Sequence, residues 1–121
     1  MTEDELKNIE DTLGIQIPNK YREFLSSFPE FLITDEDEGI FGTAKKIISE
    51  TLSSRNYREE DWPVGYTNDL LAVGWNGGGS IYCIKEGESG DTIYLFDHEI
   101  GDINPEETML LQEFIDEWSE E

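Results

Sequence analysis

Three stretches in the second half of the chain decide the fold: LLAVGW at residues 70–75, SIYCIK at 80–85 and TIYLFD at 92–97. Each is short, apolar and rich in β-branched or aromatic residues, a pattern that predicts a buried strand. The connections, residues 76–79 and 86–91, are rich in glycine and polar residues. Connections this short favour antiparallel neighbours, so the sequence predicts a meander of three strands.

The first residues predict a helix with a defined beginning and end. Residues 2–5 read TEDE, the pattern of a capping box in which a threonine and a glutamate satisfy each other's backbone amides. Leu6, Ile9 and Leu13 then recur at helical spacing. Gly14 supplies the left-handed residue that ends such a helix.

The remaining elements are predicted from apolar spacing and from proline and glycine positions. They are a second helix between Pro18 and Pro29, a hairpin of residues 31–34 with 40–41, a third helix over 44–54, and a last helix that opens at Pro105 with Asn104 as its cap. The predicted fold class is α+β, with helices packed on one side of an antiparallel sheet meander. A single domain over residues 1–121 is expected from the length.

Composition separates a folded chain from a disordered one. The 14 aromatic residues predict a packed core, because disordered acidic chains are poor in aromatics. Twenty-nine acids against eight bases give a net charge of −21. Residues 63–121 carry 14 of these acids and a single base, Lys85. The second half of the chain is therefore the more acidic one.

This charge balance excludes some classes of partner and favours others. Nucleic acids and anionic lipids need lysine and arginine to displace their counterions, so we expect neither as a partner. Basic proteins are attracted instead, although a surplus of acids also serves solubility alone. No apolar run approaches the roughly 18 residues that cross a bilayer. Together with the lone Cys83, this predicts a cytoplasmic protein without a membrane span.

Residue types that form metal sites or catalytic sites in other proteins form only weak motifs in this sequence. The turn DEDEG at 35–39 has its glycine one position too early for a calcium loop and Lys46 where the bidentate glutamate belongs. His98, with Ser80 or Cys83 as nucleophile, would suggest a hydrolase. Its neighbour Asp97 points to the opposite face of a strand and is poorly placed to orient it. We therefore expect no enzyme, no metal and no cofactor, and a buried structural role for Cys83.

Taken together, several blocks resemble the SUKH superfamily, also called the Smi/Knr family. The opening block is LGIQIPNKYREFL at residues 13–25, similar to the family's Leu-Gly, aliphatic-Pro and Tyr-x-x-Phe-Leu signature. The strand blocks LLAVG at 70–74, IYCI at 81–84 and IYLFDHE at 93–99 follow in the family's order, and FIDEW at 114–118 resembles its closing helix.

The resemblance implies an α+β domain without a catalytic site. Bacterial members of the superfamily are largely immunity proteins that bind a toxin domain, often a nuclease, in the cytoplasm, and eukaryotic relatives are regulatory hubs. The chain departs from the family pattern in two loops: SFPE at 27–30 replaces Asn-Gly-Gly, and Ser80 stands where an acid often follows the central glycines. Both departures bear on the identity of the partner rather than on the fold.

The predicted function is therefore binding of a basic protein, foremost a toxin domain that the acidic surface would neutralise. A regulatory scaffold for a cellular protein is the main alternative, and a small hydrolase is a further one. Carboxylates in predicted turns, together with aromatic anchors if these are exposed, are the predicted partner-binding residues. They are Asp35, Glu36, Asp37, Glu38, Trp62, Tyr66, Trp75, Glu86, Glu88, Asp91, Asp97 and Glu99.

Overall fold

The computed structural model describes residues 1–32 and 39–119, and these form four helices and an antiparallel sheet. The elements are α1 (Glu3–Leu13), α2 (Asn19–Ser26), β1 (Gly39–Ile40), α3 (Ala44–Asn56), β2 (Leu70–Trp75), β3 (Ile81–Lys85), β4 (Thr92–Asp97), β5 (Asp102–Ile103), β6 (Met109–Leu110) and α4 (Leu111–Ser119). Short 3₁₀ turns cover Glu30–Leu32 and Pro105–Glu107.

Helix α1 begins and ends as its sequence predicts. The amide of Glu5 donates to the Thr2 hydroxyl at 3.2 Å, and the amide of Thr2 donates to the Glu5 carboxylate at 3.0 Å. Gly14 adopts φ 67°, and its amide donates to the carbonyl of Glu10. The capping box and the left-handed stop are both confirmed.

The sheet runs in the order β1-β2-β3-β4-β5 with every neighbouring pair antiparallel, and β6 pairs with the beginning of β4. The predicted meander of β2, β3 and β4 is confirmed, as is the α+β class. One row of cross-strand partners runs across three strands: Trp75 lies opposite Ile81, and Ile81 lies opposite Phe96. Directly opposed residues share a face of the sheet, so these three side chains stand side by side.

All four helices bury their apolar stripes in one core on one face of the sheet. Their buried members include Leu6, Ile9, Tyr21, Leu25, Ile47 and Phe114. Along β3 the sides alternate: Tyr82 and Ile84 belong to this core, whereas Cys83 faces the opposite side.

The second face of the sheet carries a smaller core, built with the segment between α3 and β2. It consists of Trp62, Tyr66, Leu70, Cys83 and Phe96. Cys83 is fully buried there, which confirms its predicted structural role, and burial raises the pKa of its thiol above the ordinary range. Thr51 links α3 to the sheet, because its buried hydroxyl accepts the amide of Ala72 at 3.0 Å.

Two predicted boundaries are wrong. Residues 31 and 32, which were predicted as part of a strand, lie in a 3₁₀ turn. Residues 33–38 fall outside the described part of the chain. Ile40, which was predicted to form a hairpin with residues 31–34, pairs with Gly74 of β2. The last helix begins at Leu111, because Met109 and Leu110 pair with β4 first. Asn104 does cap the turn at Pro105, its side chain accepting the amide of Glu106 at 3.0 Å.

No helix within residues 1–32 and 39–119 is long and apolar enough to span a bilayer.

Candidate functional site

A groove of about 590 Å³ lies on the second face of the sheet, beside α3. Its floor includes the cross-strand row Trp75, Ile81 and Phe96. Tyr57 and Trp62 line it as well. The volume is that of an ordinary small-ligand or side-chain site.

One face of α3 forms a polar wall of this groove. Lys46, Glu50, Ser53 and Ser54 line it, and their spacing of four, three and one residues places them on one side of a helix. The Lys46 ammonium lies 3.4 Å from the Glu50 carboxylate and 5.7 Å from the centre of the Phe41 ring. The two charges of this wall therefore largely cancel each other.

Aromatic rings define the opposite side of the groove. Trp62 meets Tyr57 and Phe96 edge-on at centroid distances of 5.4 and 5.5 Å, and its indole N–H donates to the carbonyl of His98 at 3.0 Å. Trp75 is half-buried, while Tyr57 is 57% exposed. The groove thus presents aromatic surface to solvent.

His98 closes one end of the groove, next to the turn between β2 and β3. Its Nδ1 lies 3.1 Å from the Ser80 hydroxyl oxygen, and its ring packs on Gly79. The amides of Gly78 and Ser80 both donate to the side-chain oxygen of Asn76, at 2.8 and 3.1 Å. These two amides are therefore not available to stabilise an oxyanion.

Asp97 does not orient His98, as the alternation of strand side chains predicts. Its carboxylate instead accepts the amide of Glu99 at 2.9 Å and the side-chain amide of Asn104 at 3.4 Å. Among the described residues, no carboxylate hydrogen-bonds to His98, so the Ser80–His98 pair is not completed to a catalytic triad there.

The predicted acidic contact residues fall into two separate groups. Glu86, Glu88 and Asp91 lie before β4, whereas Asp97 ends it and Glu99 follows. A six-residue strand spans roughly 17 Å, so the structure does not bring the two groups together. The four acids of residues 35–38 lie outside the described part of the chain.

The acids before β4 are engaged within the protein. Glu86 accepts the amide of Gln16 at 2.6 Å, and Asp91 forms an exposed ion pair with Lys20 at 3.5 Å. Glu88 accepts the hydroxyl of Tyr94 at 2.8 Å. Burial, followed by this hydrogen bond to a carboxylate, raises the pKa of Tyr94 to about 12. This turn holds the sheet to the segment that leads into α2.

At the opposite end of β4 lies a second group of acids, which has no ion pair with a lysine or arginine among residues 1–32 and 39–119. We call Asp97, Glu99, Asp102 and Glu106 the acidic end. Asp97 and Asp102 are direct partners across β4 and β5, an arrangement that like charges make unfavourable. Within residues 1–32 and 39–119, no lysine or arginine forms an ion pair with these four carboxylates. Sequence reasoning did not include Asp102 and Glu106. Strand pairing places Asp102 opposite Asp97, and the amide of Glu106 donates to the side chain of Asn104, which in turn donates to Asp97.

The predicted aromatic anchors differ in exposure. The prediction required an aromatic anchor to be exposed. Trp62 is only 5% exposed and Tyr66 only 9%, so neither fulfils that requirement. The Tyr66 hydroxyl donates to the carbonyl of Leu70 at 3.2 Å, and burial is the main reason that its pKa is raised well above the usual value. Trp75 remains half-buried at the groove. Its contact with a partner stays a prediction.

Among the described residues, no three or more histidine, cysteine, aspartate or glutamate side chains are grouped so that they could hold a metal ion.

Comparison with known proteins adds the family. The family model described as SUKH_5, SMI1-KNR4 cell-wall, matches residues 1–119. No curated protein and no solved structure matches the chain. The matched range includes every helix and strand described above. The chain therefore belongs to the SMI1-KNR4 family of the SUKH superfamily.

Proposed function

We propose that this chain is a non-catalytic protein-binding domain, an immunity protein that neutralises a basic toxin domain in the bacterial cytoplasm. The observation that carries the proposal is the acidic end, where four carboxylates stand without a lysine or arginine partner in the described part of the chain. Membership of the SUKH superfamily supports a protein partner in general.

Charge complementarity is the proposed basis of neutralisation. A nuclease toxin needs a cationic surface to hold phosphates, and fixed carboxylates can occupy that surface in their place. The net charge of −21 speeds the encounter with such a partner at low salt. The protein would therefore inhibit by covering the toxin's substrate surface, without any chemical step.

The test is calorimetric titration of the purified chain with the toxin domain encoded beside its gene. We expect a complex of fixed stoichiometry whose affinity falls as sodium chloride is raised. The triple variant Glu99→Gln, Asp102→Asn, Glu106→Gln should bind about tenfold more weakly or worse, because it removes three charges from the acidic end.

A matched control separates local charge from net charge. The triple variant Asp4→Asn, Asp11→Asn, Glu23→Gln also removes three exposed acids, all of them on α1 and α2. It should bind nearly as tightly as the parent chain. Equal losses in the two variants would contradict docking at the acidic end, and absence of any complex would contradict the immunity role.

A regulatory scaffold for a cellular protein is the alternative that shares the same surface. It predicts a complex with a host protein and no protection against the neighbouring toxin. The two functions are separated by co-expression with the toxin domain, since only an immunity protein restores growth.

A small hydrolase is the third candidate, and the 3.1 Å contact between Ser80 and His98 is the observation that favours it. The occupied amides of Gly78 and Ser80 weigh against it. The variant His98→Ala decides: if inhibition of the partner survives this change undiminished, a hydrolytic mechanism through His98 is removed.

A further inference from the structure

We propose that the groove receives an apolar anchor, an aromatic or long aliphatic side chain, from a segment of the basic partner whose lysines and arginines meet the surrounding carboxylates. This inference rests on the proposed function and adds a second contact to it. The acidic end would guide the approach, and the groove would hold the bound partner.

The surface of the groove fits an apolar side chain. Trp75, Ile81 and Phe96 stand in one cross-strand row, and Tyr57 is 57% exposed at the rim. A groove of about 590 Å³ that opens to solvent is filled by water in the free chain. Releasing such waters from aromatic walls favours an apolar guest, and binding energy in protein interfaces concentrates on aromatic anchors.

Charge selects the flanks of that guest. Inside the groove, Lys46 and Glu50 face each other at 3.4 Å and leave little net charge. Next to the lining residues, Glu59, which accepts the Tyr57 hydroxyl at 2.7 Å, and Glu99, which follows His98, are exposed acids. The one cation of this border, Arg58, already donates to the carbonyls of Trp62 and Val64 within the described part of the chain. A neutral side chain therefore fits the interior, while lysine or arginine on either side of it fits the rim.

Other occupants fit less well. A second copy of this chain would bring another 21 negative charges to an acidic rim. A nucleic acid is repelled for the same reason. A substrate for acyl transfer would need the amides of Gly78 and Ser80, and Asn76 already occupies both. The basic partner is the occupant that satisfies both the interior and the rim.

Synthetic peptides test the inference without the toxin. The probe is a heptapeptide with a central phenylalanine flanked by lysine and arginine, and its two controls replace the phenylalanine by alanine or the basic flanks by glutamate. Binding is followed by the indole N–H signals of ¹⁵N-labelled protein. Trp62 and Trp75 line the groove, whereas Trp118 packs on Tyr82, whose side chain belongs to the core on the other face of the sheet.

We expect the phenylalanine probe to shift the Trp62 and Trp75 signals and to leave the Trp118 signal in place. Both control peptides should bind at least tenfold more weakly. The variant Ser53→Trp fills the groove from an exposed position of α3 and should weaken the probe at least tenfold. The matched variant Leu52→Trp, at a neighbouring exposed position outside the groove, should leave probe binding unchanged.

The alternative outcomes are distinct. If the probe does not shift Trp62 or Trp75, or needs more than about 1 mM to do so, the groove is not an anchor site and the inference is overturned, while the acidic end stands as proposed. If Ser53→Trp and Leu52→Trp bind the probe equally, the inference is overturned as well. If the glutamate-flanked peptide binds as tightly as the basic one, the basic partner, and with it the proposed function, is contradicted.

Discussion

At the scale of single residues, Asp97 and Asp102 face each other across β4 and β5 although like charges in this position are unfavourable. The variant Asp102→Asn keeps the oxygen that accepts the Ile103 amide at 2.7 Å and removes the repulsion. We expect the free energy of unfolding, measured with urea, to rise by about 0.2–1 kcal/mol. Asp11→Asn, on the exposed face of α1, is the control. An equal gain in both variants would assign the effect to net charge rather than to this pair.

Gly101 is the second residue whose role can be isolated. It adopts φ 69°, and a Cβ there would lie 2.2 Å from Cγ of Trp62. Gly14 has nearly the same φ, 67°, with no atom within 4 Å of its Cβ position. Gly101→Ala should therefore destabilise the protein by about 1–3 kcal/mol more than Gly14→Ala, the excess measuring displacement of Trp62. Urea unfolding followed by tryptophan fluorescence gives both numbers; equal losses would mean that the Trp62 ring moves aside freely.

The sequence favours core packing for the tryptophans, but it does not show which contacts bury each of them. Trp62 follows a polar stretch, residues 55–61, and precedes a proline, which is compatible with an exposed loop. Its burial depends on Phe96 and Gly101, which are distant in sequence and meet it only in the folded chain. Local pattern carries no information on such contacts.

At the scale of elements, α1 contains carboxylates whose contacts depend on pH. Arg22 holds the pKa of Glu3 below 4.5 through a two-pronged hydrogen bond at 3.1 and 3.0 Å, and the Thr2 amide lowers the pKa of Glu5 below the same value. A lowered folded-state pKa contributes stability that is complete above pH 4.5 and is lost as the pH falls through the folded-state pKa.

The double variant Glu3→Gln, Glu5→Gln tests this. The parent chain should be more stable than the variant at pH 6, and the difference should shrink progressively as the pH falls below 4.5, judged from urea midpoints. Glu23→Gln, whose side chain makes no hydrogen bond or ion pair within the described residues, is the control and should show no such fall. A difference that does not shrink as the pH falls below 4.5 would mean that the two glutamates act through packing alone.

Elements with strong local signals were predicted correctly, and those that depend on distant partners were not. The strands 70–75 and 92–97 and the ends of α1 follow from composition, spacing and capping. Strand β6 is two residues long and exists because β4 pairs with it. The bulge between Ala72 and Gly74 likewise breaks the alternation of β2, which only the register with β3 reveals.

In the candidate site, too, features set by local sequence were predicted and features set by distant contacts were not. The sequence identifies an acidic surface, because charge is a property of composition. The groove is harder to predict, since its floor needs the register that sets Trp75, Ile81 and Phe96 side by side and its wall needs α3 docked beside them. One local signal was available: the spacing of Lys46, Glu50 and Ser53 marks a polar stripe on α3.

At the scale of the whole molecule, the cations are unevenly placed. Seven of the eight lysines and arginines precede residue 63. Two of these seven are engaged within the fold, because Arg22 binds Glu3 and Arg58 donates to the carbonyls of Trp62 and Val64. The second half of the chain is left with a large negative surplus. Folding concentrates that surplus in a small volume, so the native state bears a repulsion that the expanded unfolded chain largely avoids.

Screening this repulsion should stabilise the protein. Between about 10 mM and 0.15 M sodium chloride the Debye length falls from about 30 Å to about 8 Å, so most of the repulsion between distant carboxylates disappears. At pH 7 we expect the melting temperature to rise by about 3 °C or more, equivalent to roughly 1 kcal/mol. Potassium chloride should act alike, because screening depends on ionic strength, and the variant Glu99→Gln, Asp102→Asn, Glu106→Gln should gain less. A melting temperature that stays flat or falls with salt would show that attractive ion pairs outweigh the surplus, and that the acidic end costs the fold nothing.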